Sequence, residues 1–175
     1  MTGASHMILN LEQKLIDTLQ REVAIYEELL DIITREKEAL IAFSTFELEC
    51  CTSSQDSLVS EATELEFTRR STVRMLAKER GVEGENFTLA EVVDWLSAQH
   101  AEQVRSLGER LRDLFTEIAR LQDENASLIE GATHQIRRTV DTLMTKSKEN
   151  PFAYSKGGGK AKLKETIPGL LDRKA

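Results

Sequence analysis

Residues 104–132 read VRSLGERLRDLFTEIARLQDENASLIEGA. Val104, Leu107, Leu111, Leu114, Ile118, Leu121, Asn125, Leu128 and Ala132 follow one another at alternating steps of three and four. An α-helix turns once in about 3.6 residues, so this spacing lines one face with apolar side chains, the seam of helices packed side by side. Asn125 takes a position that Val104, Leu111 and Ile118 hold in the preceding heptads. A polar residue there lowers stability and sets register. The stretch predicts a long helix, about residues 100–147, whose packing partners are other helices.

Past Gly131 the seam degrades. Gln135 and Thr139 stand where apolar residues are due, and the apolar set shifts to Ile136, Val140, Leu143 and Met144, a stutter in the repeat. A glycine inside a helix costs about 1 kcal/mol relative to alanine. The last third of this helix is therefore predicted to be weaker than the rest. It still carries a stripe that must be buried against something: a client protein, the chain's own first helix, or a second copy.

Upstream, Leu11, Leu15, Leu19, Tyr26, Leu29, Ile33, Leu40 and Phe43 recur mostly at helical spacing without an interrupting Gly or Pro, which predicts a first helix over about 9–43. Ser44 followed by Glu47 is a capping-box pattern, so the chain is expected to break near Ser44 and to form a second helix over 45–80. Gly81 fits the left-handed position just past that helix. A loop, GVEGENF, leads to a second capping-box pattern at Thr88 and Glu91 and a short helix over about 89–98, which Trp95 is expected to staple to the bundle. The fold class predicted is all-α: an elongated antiparallel helical bundle or coiled coil of two or three long helices and one short helix. It spans 7–149 and is followed by a flexible basic tail over 150–175, while residues 1–6 read as an expression-tag remnant.

Composition agrees with that class. Hydrophobic residues make up 40% and charged residues 30% of the chain, but aromatics only 5%, with two prolines, which favours helices over the alternating Val, Ile, Tyr and Phe runs of a sheet. A net charge of -7 disfavours general binding to nucleic acid. No apolar run approaches the roughly 18 residues of a membrane span. No signal peptide precedes the first helix, and the adjacent Cys50 and Cys51 read as reduced thiols, so a cytoplasmic location is expected without direct membrane insertion.

No catalytic constellation emerges, so the chain is not expected to be an enzyme. His100 and His134 lack companions at metal-ligand spacing, and neither metal nor cofactor is expected. GGGK in the tail invites comparison with a nucleotide-binding loop. Tyr154 stands where that motif needs a glycine and Ala161 where it needs Ser or Thr, so the motif is absent. In the tail itself, Lys156, Lys160, Lys162, Lys164, Arg173 and Lys174 outnumber Glu165 and Asp172. Such a segment is either an electrostatic docking arm or a solvated terminus.

The order of these pieces resembles the FlgN family, the cytoplasmic chaperones of the bacterial flagellar type III export system. REKEALIAFSTFELE, FTLAEVVDWL, LRDLFTEIARLQDENASLIEGA and YSKGG carry the resemblance, from about Leu9 to Gly159. It implies a rigid N-terminal bundle and a mobile end of the last helix that binds the C-terminal helical region of hook–filament junction proteins. Those clients would otherwise assemble prematurely or be degraded. The matching client-binding residues here are Asn125, Leu128, Ile129, Ala132, Ile136, Val140, Leu143 and Met144. Tyr154 matches a tail tyrosine implicated in docking on the cytoplasmic domain of the export gate. The basic stretch beyond it is longer than the family pattern requires. A different reading, supported by the same heptads, is a self-associating coiled-coil scaffold or homodimer without a secreted client.

Overall fold

The computed structural model describes the backbone of residues 2–84 and 86–149 and the side chains of 6–84 and 86–145. It is all-α. Four helices follow in order: α1 (Thr2–Ile41), α2 (Thr45–Arg80), α3 (Leu89–Val93) and α4 (Ala98–Glu149). The chain divides into two compact units, 1–132 and 133–175, and the division falls next to Gly131. The tail over 150–175, with Tyr154, lies outside the described residues.

In the first unit α1 and α2 pack antiparallel, because a three-residue connector leaves no other route. Arg80 near the end of α2 meets Glu12 near the start of α1, and Arg69 meets Glu22. α4 runs parallel to α1 and hence antiparallel to α2. Glu12 contacts His100, Glu27 contacts Arg110, and Lys37 contacts Glu124. The loop and α3 make this up-down-up order feasible by joining two helices at the same end of the bundle.

Apolar side chains from all three long helices fill the interior. One cluster joins Leu15, Ile16 and Leu19 of α1 to Val73 and Leu76 of α2, Val92 of α3, and Val104 and Leu111 of α4. Another joins Ile25, Leu29, Ile32 and Ile33 to Cys51, Leu58 and Ala62, and to Ile118 and Leu121. Each fully buried Leu or Ile contributes roughly 1.5–3 kcal/mol by leaving water. The α4 seam is buried at Val104, Leu111, Leu114, Ile118, Leu121 and Asn125, as the heptad spacing requires. Phe87 and Trp95 meet edge to face at 4.8 Å beside the first cluster, so Trp95 does staple α3 to the bundle.

Helix ends show where local chemistry decides and where it does not. At Thr88 both halves of the capping box are made. At Ser44 only one is: its hydroxyl accepts from the Glu47 amide, while the Glu47 carboxylate lies 3.6 Å from Arg35. The Ser44 amide instead donates to the Ala39 carbonyl and the Phe43 amide to that of Leu40, a Schellman closure of α1. α2 closes in the same way, with the Gly81 amide to Lys78 and the Val82 amide to Ala77. Gly81 takes the left-handed conformation at φ 68°, and Phe43 takes it at φ 53°. Glycine does so without steric cost; a side chain there costs about 1 kcal/mol. Gly84 serves a different need, since a Cβ at that position would lie 2.8 Å from the Phe87 ring.

Several boundaries differ from the sequence expectation; the ends of α1 (Ile41 rather than 43) and α4 (Glu149 rather than 147) move by two residues, and three others have a physical reason. α1 begins earlier, at Thr2, because adding a residue to a formed helix is far easier than starting one. α3 ends at Val93 rather than near residue 98, in tight turns from Trp95 to Val92 and from Leu96 to Val93. α4 starts at Ala98 because a residue from α1 satisfies the amide that precedes it. That residue is Glu12, and the Ser97 amide donates to it at 3.3 Å.

Candidate functional site

The end of α4 is built differently from its seam. Ile136, Val140, Leu143 and Met144 recur at steps of four, three and one. At 100° per residue they fall within an arc of about 100°, one continuous apolar face. Their exposures are 61%, 47%, 63% and 60%. Every side chain described from 133 to 145 is exposed. The other side of this segment is polar, and Thr139, Thr142 and Thr145 each donate to the carbonyl four residues back. Such back-bonding adds nothing to the helix and tends to loosen it. A helix whose apolar face meets water lacks the packing that normally stabilises a helix, and it gains that packing when another apolar surface covers it.

Tyr154 lies outside the described residues, and the other residues singled out in the sequence fall in the first unit. Leu128 and Ile129 are exposed at 37% and 48%, and Ala132 is half-buried. Asn125 is 3% exposed. Its amide nitrogen donates to the Ile33 carbonyl at 3.2 Å and to the Glu36 carboxylate at 2.9 Å, which ties α4 to α1. Its carbonyl oxygen is buried without a partner. Asn125 thus belongs to the bundle interior, where it registers α4 against α1, and presents no surface. Glu36 is drawn partly inward by the same contact.

A second polar centre was not visible in the sequence. Glu12, 2% exposed, accepts from Arg80 at 3.2 Å, from the Ser97 hydroxyl at 3.0 Å, and from His100 Nδ1 at 2.6 Å. Burial pushes its carboxyl up, but the hydrogen bonds from His100 and Ser97 outweigh this and hold it below the ordinary 4.5. One carboxylate therefore pins the start of α1 to the end of α2 and the start of α4. Glu22 is the opposite case. Burial outweighs the Arg69 guanidinium, which bonds both its oxygens, and the carboxyl is pushed up. The Cys51 thiol is likewise pushed up by burial, which makes it a packing residue and a poor nucleophile. Among the described residues, no three of His, Cys, Asp and Glu gather as metal ligands, and no helix is long and apolar enough to cross a membrane.

These features define a class: a helical bundle of packed seams and structural ion pairs that offers an uncovered apolar helix, the equipment of a protein that binds other proteins. The FlgN protein family matches residues 7–162, and the chain belongs to that family of flagellar export chaperones. It is also similar to YvyG of Bacillus subtilis (strain 168), described as uncharacterized. The two are 27% identical over 161 residues, covering 92% of this chain and 97% of YvyG. No solved structure matches.

Proposed function

We propose that this chain is a cytoplasmic chaperone that masks the C-terminal helical region of hook–filament junction proteins, preventing premature assembly or degradation, and delivers them to the export gate. Membership of the FlgN family supports the chaperone role. The observation that carries the client site is the exposed face of Ile136, Val140, Leu143 and Met144. An amphipathic client helix laid along this face would bury both apolar stripes and supply the packing that the segment lacks. Leu128, Ile129 and Ala132 are further candidates for client contact. Tyr154 is proposed as the docking point on the export gate by its match to the family pattern.

The self-associating scaffold is less well supported. Its seam, from Val104 to Leu121, packs here against α1 and α2 of the same chain, so no second copy is needed to bury it.

Calorimetric titration of the full chain with the C-terminal segments of the two junction proteins tests the proposal. Binding at micromolar or tighter affinity is expected, at least tenfold weaker in an Ile136→Ser, Leu143→Ser double variant. Absence of binding to either segment would refute the client assignment. Equal affinity in the double variant would move the site elsewhere.

A further inference from the structure

An open trough lies on the flank of the first unit, between α2 and α4. α1 forms its floor with Glu22 and Tyr26, α2 one wall with Glu66 and Arg69, and α4 the other with Leu111, Arg112 and Phe115. Its volume is about 430 Å³. At Arg69 it meets a second hollow of about 260 Å³, lined by Arg70, Val73 and Arg74 of α2 and by Asn86 and Phe87 of the loop before α3. Phe115 is 47% exposed, although its ring meets Tyr26 edge to face at 4.6 Å. Gly108 keeps the α4 wall low. A Cβ there would lie 3.4 Å from Leu89 Cδ1, its nearest neighbour, so alanine fits and would favour the helix by about 1 kcal/mol. Packing does not require this glycine; the opening does.

Charge sets the trough apart from the rest of the molecule. The chain carries a net -7. Within the trough, Glu22 pairs with Arg69 at 3.0 Å and Glu66 with Arg70 at 2.7 Å, which accounts for both carboxylates. Arg74 and Arg112 remain, and neither guanidinium has an ion-pair partner among the described residues. Past Arg112 the character changes, because Asp94 and Glu109 line the next hollow. The positive stretch therefore runs from Arg74 to Arg112 and has apolar and aromatic side chains between its ends.

We propose that this trough docks an acidic amphipathic segment of a partner protein, with its apolar side chains over Tyr26, Leu89 and Phe115 and its carboxylates on Arg74 and Arg112. Guanidinium and carboxylate match in charge and in planar geometry. Arginine beside aromatic rings is also the pairing that anchors protein interfaces. An inorganic anion would engage the arginines but leave Phe115 in water. A nucleic acid would meet the repulsion of the acidic body around the trough. All the lining residues belong to the first unit, so docking here needs no client on the end of α4.

Fluorescence anisotropy with a labelled helical peptide, leucines on one face and glutamates along its edges, provides the test. The full chain is used in the Ile136→Ser, Leu143→Ser background, where the face at the end of α4 no longer competes for the leucines. Binding is expected, and it should weaken at least tenfold when Arg74→Glu and Arg112→Glu are made together. The same peptide with lysines in place of its glutamates should bind that reversed chain and not its parent. Gly108→Leu, which fills the trough, should weaken binding of the acidic peptide at least fivefold. The two arginine positions are on the surface, so the reversed chain should keep its urea midpoint. Absence of binding overturns the assignment. So does equal affinity of the parent for both peptides, and so does binding that is indifferent to the charge reversal or to Gly108→Leu.

Discussion

α4 contains two apolar stripes with nearly the same spacing and opposite fates. Val104, Leu111, Leu114, Ile118 and Leu121 are at most 7% exposed, while Ile136, Val140, Leu143 and Met144 are at least 47% exposed. Both stretches are helical. The difference therefore lies outside the helix itself. The first stripe faces α1 and α2 and is spent on folding. The second is left exposed, and under the proposed function it is the face that a client helix would cover. Periodicity shows that a face will be covered but does not say by what.

The largest expected effect separates the two stripes directly. Leu19→Ala, at a side chain with no exposure, should destabilise the chain by about 3–4 kcal/mol in urea unfolding, whereas Leu143→Ala should fall within about 0.5 kcal/mol. Comparable losses at both positions would mean that the end of α4 is packed after all.

Glu12→Gln comes next. It leaves Arg80 without its buried carboxylate and weakens the hold on Ser97 and His100, at a cost of about 2–3 kcal/mol near neutral pH. The sign with pH follows from the lowered carboxyl. The folded chain binds fewer protons than the unfolded one, so this contribution is present above 4.5 and is lost as pH falls through the lower folded value. The urea midpoints of parent and variant should therefore differ at pH 7 and converge as pH falls through that lower folded value. A gap that persists in acid would show that the carboxylate's charge is not what pins the three helices.

A smaller change concerns the seam's polar residue. Asn125→Leu removes a buried carbonyl oxygen that has no partner and should stabilise the bundle by about 1 kcal/mol, offset in part by the lost bond to Glu36. A clear loss of stability would assign the Ile33 and Glu36 bonds more weight than the orphaned oxygen.

The smallest effect is expected where the two regions join. Nothing lies within 4 Å of a Cβ placed on Gly131, so Gly131→Ala should add up to about 1 kcal/mol of helix stability. Slower amide exchange around residues 128–140, with an unchanged global midpoint, would place that gain in the end of α4. A rise in the global midpoint would show that this end unfolds together with the bundle.

Much of this architecture can be read from local patterns. The start and end of α2 follow from Ser44, Glu47 and Gly81, and the start of α3 from Thr88 and Glu91, because a cap acts within one helical turn and needs no distant partner. The α4 seam follows from heptad spacing as far as Asn125, but the same spacing carries it on to Ala132, whereas Leu128 is already exposed. The exposed stripe was legible as a stripe, but its exposure was not, since three different coverings fit one spacing. Asn125 was placed correctly in the seam; its bond to the α1 backbone, which takes it out of any client surface, depends on which helix lies opposite.

By itself, then, the sequence determined the helical class, the places where helices begin and end through caps, and which face of each carries apolar residues. All of these act over three to seven neighbouring positions. Tertiary structure alone decided that α4 runs parallel to α1, that Glu12 joins three helices and starts one of them, and that Phe43 is held out at a strained turn. Those outcomes depend on groups 68 to 92 residues apart being brought within 3.3 Å of each other, or on a side chain being left mostly exposed. No local pattern encodes either, because both are settled only when the interior has been filled.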